Sequence, residues 1–320
     1  MSGASRAIRA ACLAAAAAIA TPAAAYVRST DKGTGNALFW PKPVVPFHVS
    51  TAAAAQSPSC KGDPALDAVR AAFAAWRQGC SSLDLVFGGR VDEVATGVDG
   101  GHDDLVVFRQ GFCTANAAAA ACMASGAAGC GNTFNCFEDH TPLDRSIVAL
   151  TSVLYDPASG RIINADIEVN GWNGASGSLA GGQQGPANGW YFTCVPSAPI
   201  RPVTCGTYDQ PDCIYIDLQN TLTHEVGHFL GLAHTCTVDP GREPGLPLCD
   251  PSFAQTTMYP VTTPGDTEKR TLSADDIAGV CAIYPASGGG CGCGSGGAAG
   301  AIALLLAALA LRPRRRATRR

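Results

Sequence analysis

Residues 224–234 read His-Glu-Val-Gly-His-Phe-Leu-Gly-Leu-Ala-His, and this spacing restricts the backbone more than any other stretch of the chain. Three of the six histidines fall within it. On a helix, His224 and His228 lie four residues apart and project from one face, where two imidazoles can share a Zn²⁺. Glu225 stands one step further round, placed to act on a water beside the metal rather than to coordinate. Gly231 can leave the helix through a left-handed conformation without steric cost, so the chain turns back and brings His234 up as a third ligand. Three protein nitrogens leave a fourth tetrahedral position open, the mark of a catalytic rather than a structural zinc. A polar helix face or a pair of core histidines accounts for neither Glu225 nor the glycine.

The two ends of the chain have a different character from its middle. Arg6 and Arg9 flank the start of an alanine-rich apolar run, Ala10 to Ala20, and Ala23-Ala24-Ala25 precede Tyr26. This is the pattern of a secretory leader removed after Ala25, so export is expected. The cysteines agree. Of fifteen, twelve lie between Cys60 and Cys281 without a Cys-x-x-Cys pair, which favours up to six disulfides over a thiolate metal cluster. Cys236 and Cys249 bracket the loop after His234 and are the bridge most expected. Eight of the 22 basic residues sit in 1–25 and 286–320 with no acid, so the part between carries 14 basic against 26 acidic residues. Such an acidic domain has no electrostatic footprint for nucleic acid, and Ca²⁺ is a possible second ion.

Patterning along the chain predicts one α+β domain. Val44-Val45 and Phe47-His48-Val49 read as a first strand, and Leu83–Phe87 and Leu105–Phe108 as two more. Asp63-Pro64 opens an amphipathic helix over 64–78 with Leu66, Val69, Phe73 and Trp76 on one face. Residues 109–145, with four cysteines, read as a disulfide-stapled insertion. Ser146–Leu154 and Ile162–Val169 are strands joined by the turn at 156–160. A Gly/Pro/Ser-rich loop spans 171–212, and the histidine-bearing helix runs from about Asn220 to Leu230. Residues 235–256 are irregular. Ser273 with Asp276 forms a capping box for a last helix facing inward with Ile277, Val280, Cys281 and Tyr284.

The extended motif His224-Glu225-x-x-His228-x-x-Gly231-x-x-His234 resembles that of the metzincin metallopeptidases, and of their matrixin branch in particular. Thr257-Met258-Tyr259-Pro260 is similar to the methionine turn beneath the zinc in that group. Leu272–Gly279, Phe73–Trp76, Asp104–Val106 and Ala165–Asn170 resemble matrixin helix and strand segments. The resemblance implies a zincin-type fold, a twisted mixed sheet with an active-site helix and a C-terminal helix. It also implies one catalytic zinc on His224, His228 and His234, with Glu225 as general base and acid. Met258 would be a packing floor, with Tyr259 and Pro260 as walls of the substrate pocket. No Pro-Arg-Cys-Gly switch motif occurs, and the histidines of a matrixin structural zinc are absent.

At the other end, Gly288–Gly294 with Cys291 and Cys293 precedes an apolar run from Ala298 to Leu311 and six arginines, Arg312 to Arg320. This resembles the myxobacterial C-terminal sorting tails, and implies membrane contact through the apolar helix and processing by a sorting protease. The expected organisation is therefore a leader over 1–25, an irregular segment over 26–45 and a catalytic domain over 46–285. A Gly/Cys-rich linker follows over 286–297, then the apolar helix and basic tail over 298–320. The function expected is an exported zinc endopeptidase at the cell surface or secreted, acting on a protein or peptide. Two rivals are an inactive surface binding or structural protein and a zinc hydrolase of a non-peptide amide. The sequence leaves oligomeric state open.

Overall fold

The computed structural model describes residues 26–51, 63–97, 104–109, 111–141, 144–170, 192–194, 216–263 and 265–286. The leader, the 298–320 tail and most of the 171–212 loop lie outside the described residues. The centre is a five-stranded mixed sheet ordered β3-β2-β4-β6-β5, with β2 at Val44–Ser50, β3 at Asp84–Val91, β4 at Leu105–Phe108, β5 at Ala149–Asp156 and β6 at Arg161–Val169. β2, β3, β4 and β6 run parallel, and β5 closes one edge antiparallel to β6. β2 alternates, with Val45, Phe47 and Val49 buried, as a strand with one covered face does. β4 is buried at every residue, so its uninterrupted apolar run reads correctly as a strand packed on both faces.

Two helices form the layer against this sheet. Helix α1 (Asp63–Ala75) stacks Phe73 on Phe47 of β2 at 3.7 Å between ring centroids, and meets Phe229 edge-on at 5.4 Å. It ends three residues before the expected boundary because its last turn tightens: the Trp76 and Arg77 amides donate to carbonyls three residues back. Trp76 Nε1 then donates to Thr223 O at 2.8 Å, tying α1 to α4. Helix α4 (Leu218–Phe229) carries the first two histidines and is buried over most of its length. It starts two residues earlier than the sequence suggested, because Asp217 caps it by accepting from Asn220 N at 2.8 Å. Arg270 grips the same carboxylate through Nε and Nη2 at 2.9 and 2.6 Å.

The insertion after β4 contains two short helices, α2 (Ala117–Ala124) and α3 (Cys130–Phe134), stapled by Cys113–Cys136 and Cys122–Cys130. Arg109 anchors it. Its buried guanidinium pairs with Glu168 of β6 at 2.6 Å and donates to Asn132, Thr96 and the Val94 and Gly131 carbonyls. A third bridge, Cys80–Cys281, joins the region after α1 to the last helix α5 (Ala274–Ile283), whose Ser273–Asp276 capping box is present as expected.

The segment from Tyr26 to Trp40 does more than the irregular chain anticipated for it. Strands β7 (Phe192–Thr193) and β8 (Ile216–Asp217) pair parallel just ahead of α4, and β1 (Val27–Arg28) pairs antiparallel with β9 (Leu232–Ala233), the two residues immediately before His234. The carbonyls at the end of α4 and in the turn just beyond it, which no helical amide can reach, are taken up. Trp40 Nε1 donates to Phe229 O at 2.9 Å, the Tyr284 hydroxyl to Leu230 O at 2.9 Å, and Ser29 N to Gly231 O at 2.9 Å. Gly231 has φ +87°, and a Cβ there would come within 2.5 Å of Leu38 O. Gly231→Ala therefore meets both a disfavoured backbone and a clash with main chain. It should destabilise the domain by more than ~1 kcal/mol, read as a lowered midpoint in denaturant unfolding; an unchanged midpoint would contradict this account of the turn.

Candidate metal centre

Helix α4 carries His224, Glu225 and His228, with Glu225 against Thr151 of β5, and the Gly231 turn brings His234 back to meet the two histidines. Each histidine has its Nδ1 occupied. His224 Nδ1 donates to Thr257 O at 2.7 Å and His228 Nδ1 to Leu232 O at 2.9 Å. A carbonyl oxygen can only accept, so the proton of each ring sits on Nδ1. His234 Nδ1 lies against Glu243 Oε1 at 2.5 Å, again a donor facing an acceptor. The three Nε2 atoms are thus lone pairs, and they point at one another. His234 Nε2 is 3.3 Å from that of His224 and 3.1 Å from that of His228.

Three converging lone pairs repel unless something positive lies between them. Zinc–nitrogen bonds of 2.0–2.1 Å in a tetrahedron put ligand atoms about 3.3–3.4 Å apart. The observed separations match that spacing, so the residues fit zinc. Among the described residues this triad is the group of three or more His, Cys, Asp or Glu side chains placed to hold an ion. Burial acts in the same direction. It drives His224 well below the ordinary imidazole range, with the Lys269 charge next in weight, and it takes His228 to about 3, helped by His234. Neutral rings are the form that binds metal. Calcium gains no such support: Asp104 and Asp166 accept from backbone amides and Asn164, and Glu168 is held by Arg109 and Thr96. Glu138-Asp139-His140 is also engaged internally, with Glu138 accepting from Gly131 N and from His140, and Asp139 from Thr114 N and Arg145. His102 and Asp103 lie outside the described residues.

Glu225 is buried, 6% exposed, and stands outside the triad. Its Oε2 accepts from Thr151 Oγ1 of β5 at 2.6 Å, and the same hydroxyl contacts Glu225 O at 3.1 Å. Burial raises its carboxyl above the usual range, and the Thr151 hydrogen bond with the nearby His234 and Lys269 charges opposes that rise. A buried carboxylate in reach of a metal position, but not on it, is suited to moving protons.

The segment below the histidines is held from α5. The Asp276 carboxylate accepts from Thr257 N at 2.8 Å and Met258 N at 3.3 Å, and Thr257 O in turn orients His224. The N3 residue of the last helix's capping box thus fixes a candidate ligand through one backbone step. Met258 is fully buried against α4. A Cβ on Gly227 would fall 2.1 Å from Met258 Sδ and 2.9 Å from Trp76 Cζ2, so the helix admits the methionine only because residue 227 has no side chain. Tyr259 and Pro260 are half-buried beyond it, and Tyr259 O and Val261 O both receive the buried Lys269 ammonium, at 2.5 and 2.9 Å.

Sequence reasoning placed the three histidines and Glu225 in one site; the structure brings the ring nitrogens of the three histidines together and sets Glu225 on the same helix against Thr151. It overlooked Gly227, Thr151, Asp217 and Glu243, and saw Asp276 only as a cap. Gly227 carried a usable signal, since a glycine inside a helix is unfavourable by about 1 kcal/mol against alanine and needs a packing reason.

Residues 180–276, less than a third of the chain, match the M43 peptidase family, described as pregnancy-associated plasma protein-A. A 71-residue stretch, 22% of the chain, is 35% identical to metalloendoproteinase 1-MMP of Arabidopsis thaliana. That match spans 15% of the relative's length. Both similarities are to metallopeptidases.

Adding a methyl group at residue 227 tests the methionine floor. Gly227→Ala should lower unfolding stability by about 1–3 kcal/mol, the usual cost of overpacking, despite alanine's better helix propensity. Denaturant unfolding checks this, and a stabilised variant would show that Met258 does not press on the helix.

Proposed function

We propose that the chain is an exported zinc metalloendopeptidase of matrixin-like type, with Glu225 as its proton-transfer residue. The observation that carries this reading is the convergence of the three Nε2 lone pairs beside a buried carboxylate that does not join them. Zinc bound by His224, His228 and His234 would supply Lewis acidity, polarising the scissile carbonyl and making water acidic enough to deprotonate. Glu225 takes that water proton on its carboxylate and passes it to the departing amine nitrogen. Thr151 pins one carboxylate oxygen and leaves the other for the transfer. Burial raises the Glu225 carboxyl towards the range where it can both accept and return a proton.

A peptide substrate suits the surroundings. β5 is one of the two edge strands of the sheet and carries Thr151, the residue touching Glu225. An extended peptide can add to such an edge through main-chain hydrogen bonds, which places a backbone carbonyl beside the histidines without demanding a particular side chain. Tyr259 and Pro260 would then wall the pocket for the residue after the scissile bond. Export is supported by the leader pattern and by the Cys80–Cys281, Cys113–Cys136, Cys122–Cys130 and Cys236–Cys249 bridges, which belong to an oxidising compartment. Surface sorting through the tail rests on its sequence; among the described residues no helix is long and apolar enough to cross a membrane.

Glu225→Ala tests the assignment. Zinc content by metal analysis should stay at the wild-type level, because Glu225 coordinates nothing, while peptide hydrolysis falls by about 10²–10⁴-fold. Near-normal hydrolysis by a zinc-replete Glu225→Ala protein would overturn the proposal.

A further inference from the structure

His224 and His228 are oriented by main-chain carbonyls, which the fold fixes whatever the side chains around them. His234 is different: its Nδ1 is held by a side chain, Glu243, nine residues further on. Among the described residues, Glu243 is the carboxylate in direct contact with a member of the triad. Three neutral imidazoles give no compensation for a dication, so an anion hydrogen-bonded to one of them both fixes that ring and makes its Nε2 a stronger donor.

Glu243 is not placed by secondary structure. It sits in the connection that follows His234, an irregular run drawn back on itself. Cys236 and Cys249 close it with a disulfide. Inside the bridge, Thr237 N donates to Pro247 O at 2.8 Å and Cys249 N to Thr237 O at 3.0 Å, and Thr237 pairs with Leu248 as a parallel bridge. At the far end Asp239 O accepts from both Arg242 N and Glu243 N at 3.1 Å, a turn that points the chain back towards the histidine. The buried Thr237 hydroxyl accepts from Asp239 N at 2.9 Å, so the residue beside the bridge steadies the turn that carries Glu243. The bridge, the paired backbone and the turn together hold one carboxylate oxygen on His234.

We propose that Glu243 is a positioning residue for the third zinc ligand, and that the Cys236–Cys249 loop exists to hold it there and so sets how tightly the centre retains its metal. This rests on the zinc reading of the triad. The loop's function is to present a charge at a fixed point, and its length and irregularity follow from closing that circuit.

The test is the zinc dissociation constant of the full purified chain, measured by competition with a chromophoric chelator. Glu243→Ala should bind zinc about 10–100-fold more weakly, the range for loss of a partner behind a ligand. The near-isosteric Glu243→Gln retains an acceptor for Nδ1 but no charge, and should fall between wild type and Glu243→Ala. Cys236→Ser/Cys249→Ser should weaken zinc in the same direction, and Glu243→Ala added to that pair should cost little more, because both act through one contact. Melting of the metal-free proteins separates these effects from misfolding, since Glu243 is partly exposed and its variants should melt with wild type. Wild-type affinity in both Glu243 variants would overturn the inference while leaving the zinc reading intact. A full further loss from Glu243→Ala in the double-serine background would overturn the part assigned to the loop. A wild-type chain that binds no zinc would remove both readings.

Discussion

The end of helix α4 is the constraint on which the rest of the centre depends. An α-helix leaves its last carbonyls without partners, and burying them unsatisfied costs roughly 1–3 kcal/mol each. Here Trp40 takes that of Phe229, and Tyr284 and Ser29 take those of Leu230 and Gly231 in the turn that follows. The three donors come from both ends of the described domain, so the reversal at Gly231 is enforced by the whole fold rather than by local propensity. Once the reversal is fixed, β9 must run back beside α4, and pairing with β1 completes it. His234 then has little freedom about where to stand.

That geometry builds in a local electrostatic conflict. Three imidazoles have their protons committed on Nδ1, and Nε2 of His234 is pressed to 3.3 Å from that of His224 and 3.1 Å from that of His228. Protonating one would relieve the lone-pair repulsion, but burial opposes charge on His224 and His228. The same burial acts on Glu225 with the opposite result, raising a carboxyl where it lowers an imidazole. One environment therefore prepares neutral metal ligands and a proton acceptor of raised affinity side by side. The arrangement resolves when a small dication occupies the point where the lone pairs meet.

How much of this could be read in advance depends on how local each cause is. The His224, His228 and His234 spacing was legible because helix geometry and a glycine decide it within eleven residues. β4 was legible because a buried central strand shows an unbroken apolar run, and the Ser273–Asp276 cap because its partners lie three apart. The same Asp276 also holds Thr257 and Met258, and nothing in the sequence joins residue 276 to residue 224. Thr151 is an ordinary strand residue until β5 is set against α4. β1 spans two residues and has no periodicity to detect; it is a strand only because β9 lies next to it. Glu243 was hidden in a proline-rich connection whose shape comes from the Cys236–Cys249 bridge, so the bridge was anticipated while the residue it presents was not.

The central claim is that the three Nε2 atoms together hold one zinc and leave a position for water. Zinc K-edge X-ray absorption on the purified chain addresses it directly, because it reports ligand type and distance without requiring a substrate. The account predicts one zinc per chain with three imidazole nitrogens and one further light atom, all at about 2.0–2.1 Å. A sulfur shell at about 2.3 Å, or a zinc environment lacking imidazole scattering, would contradict it.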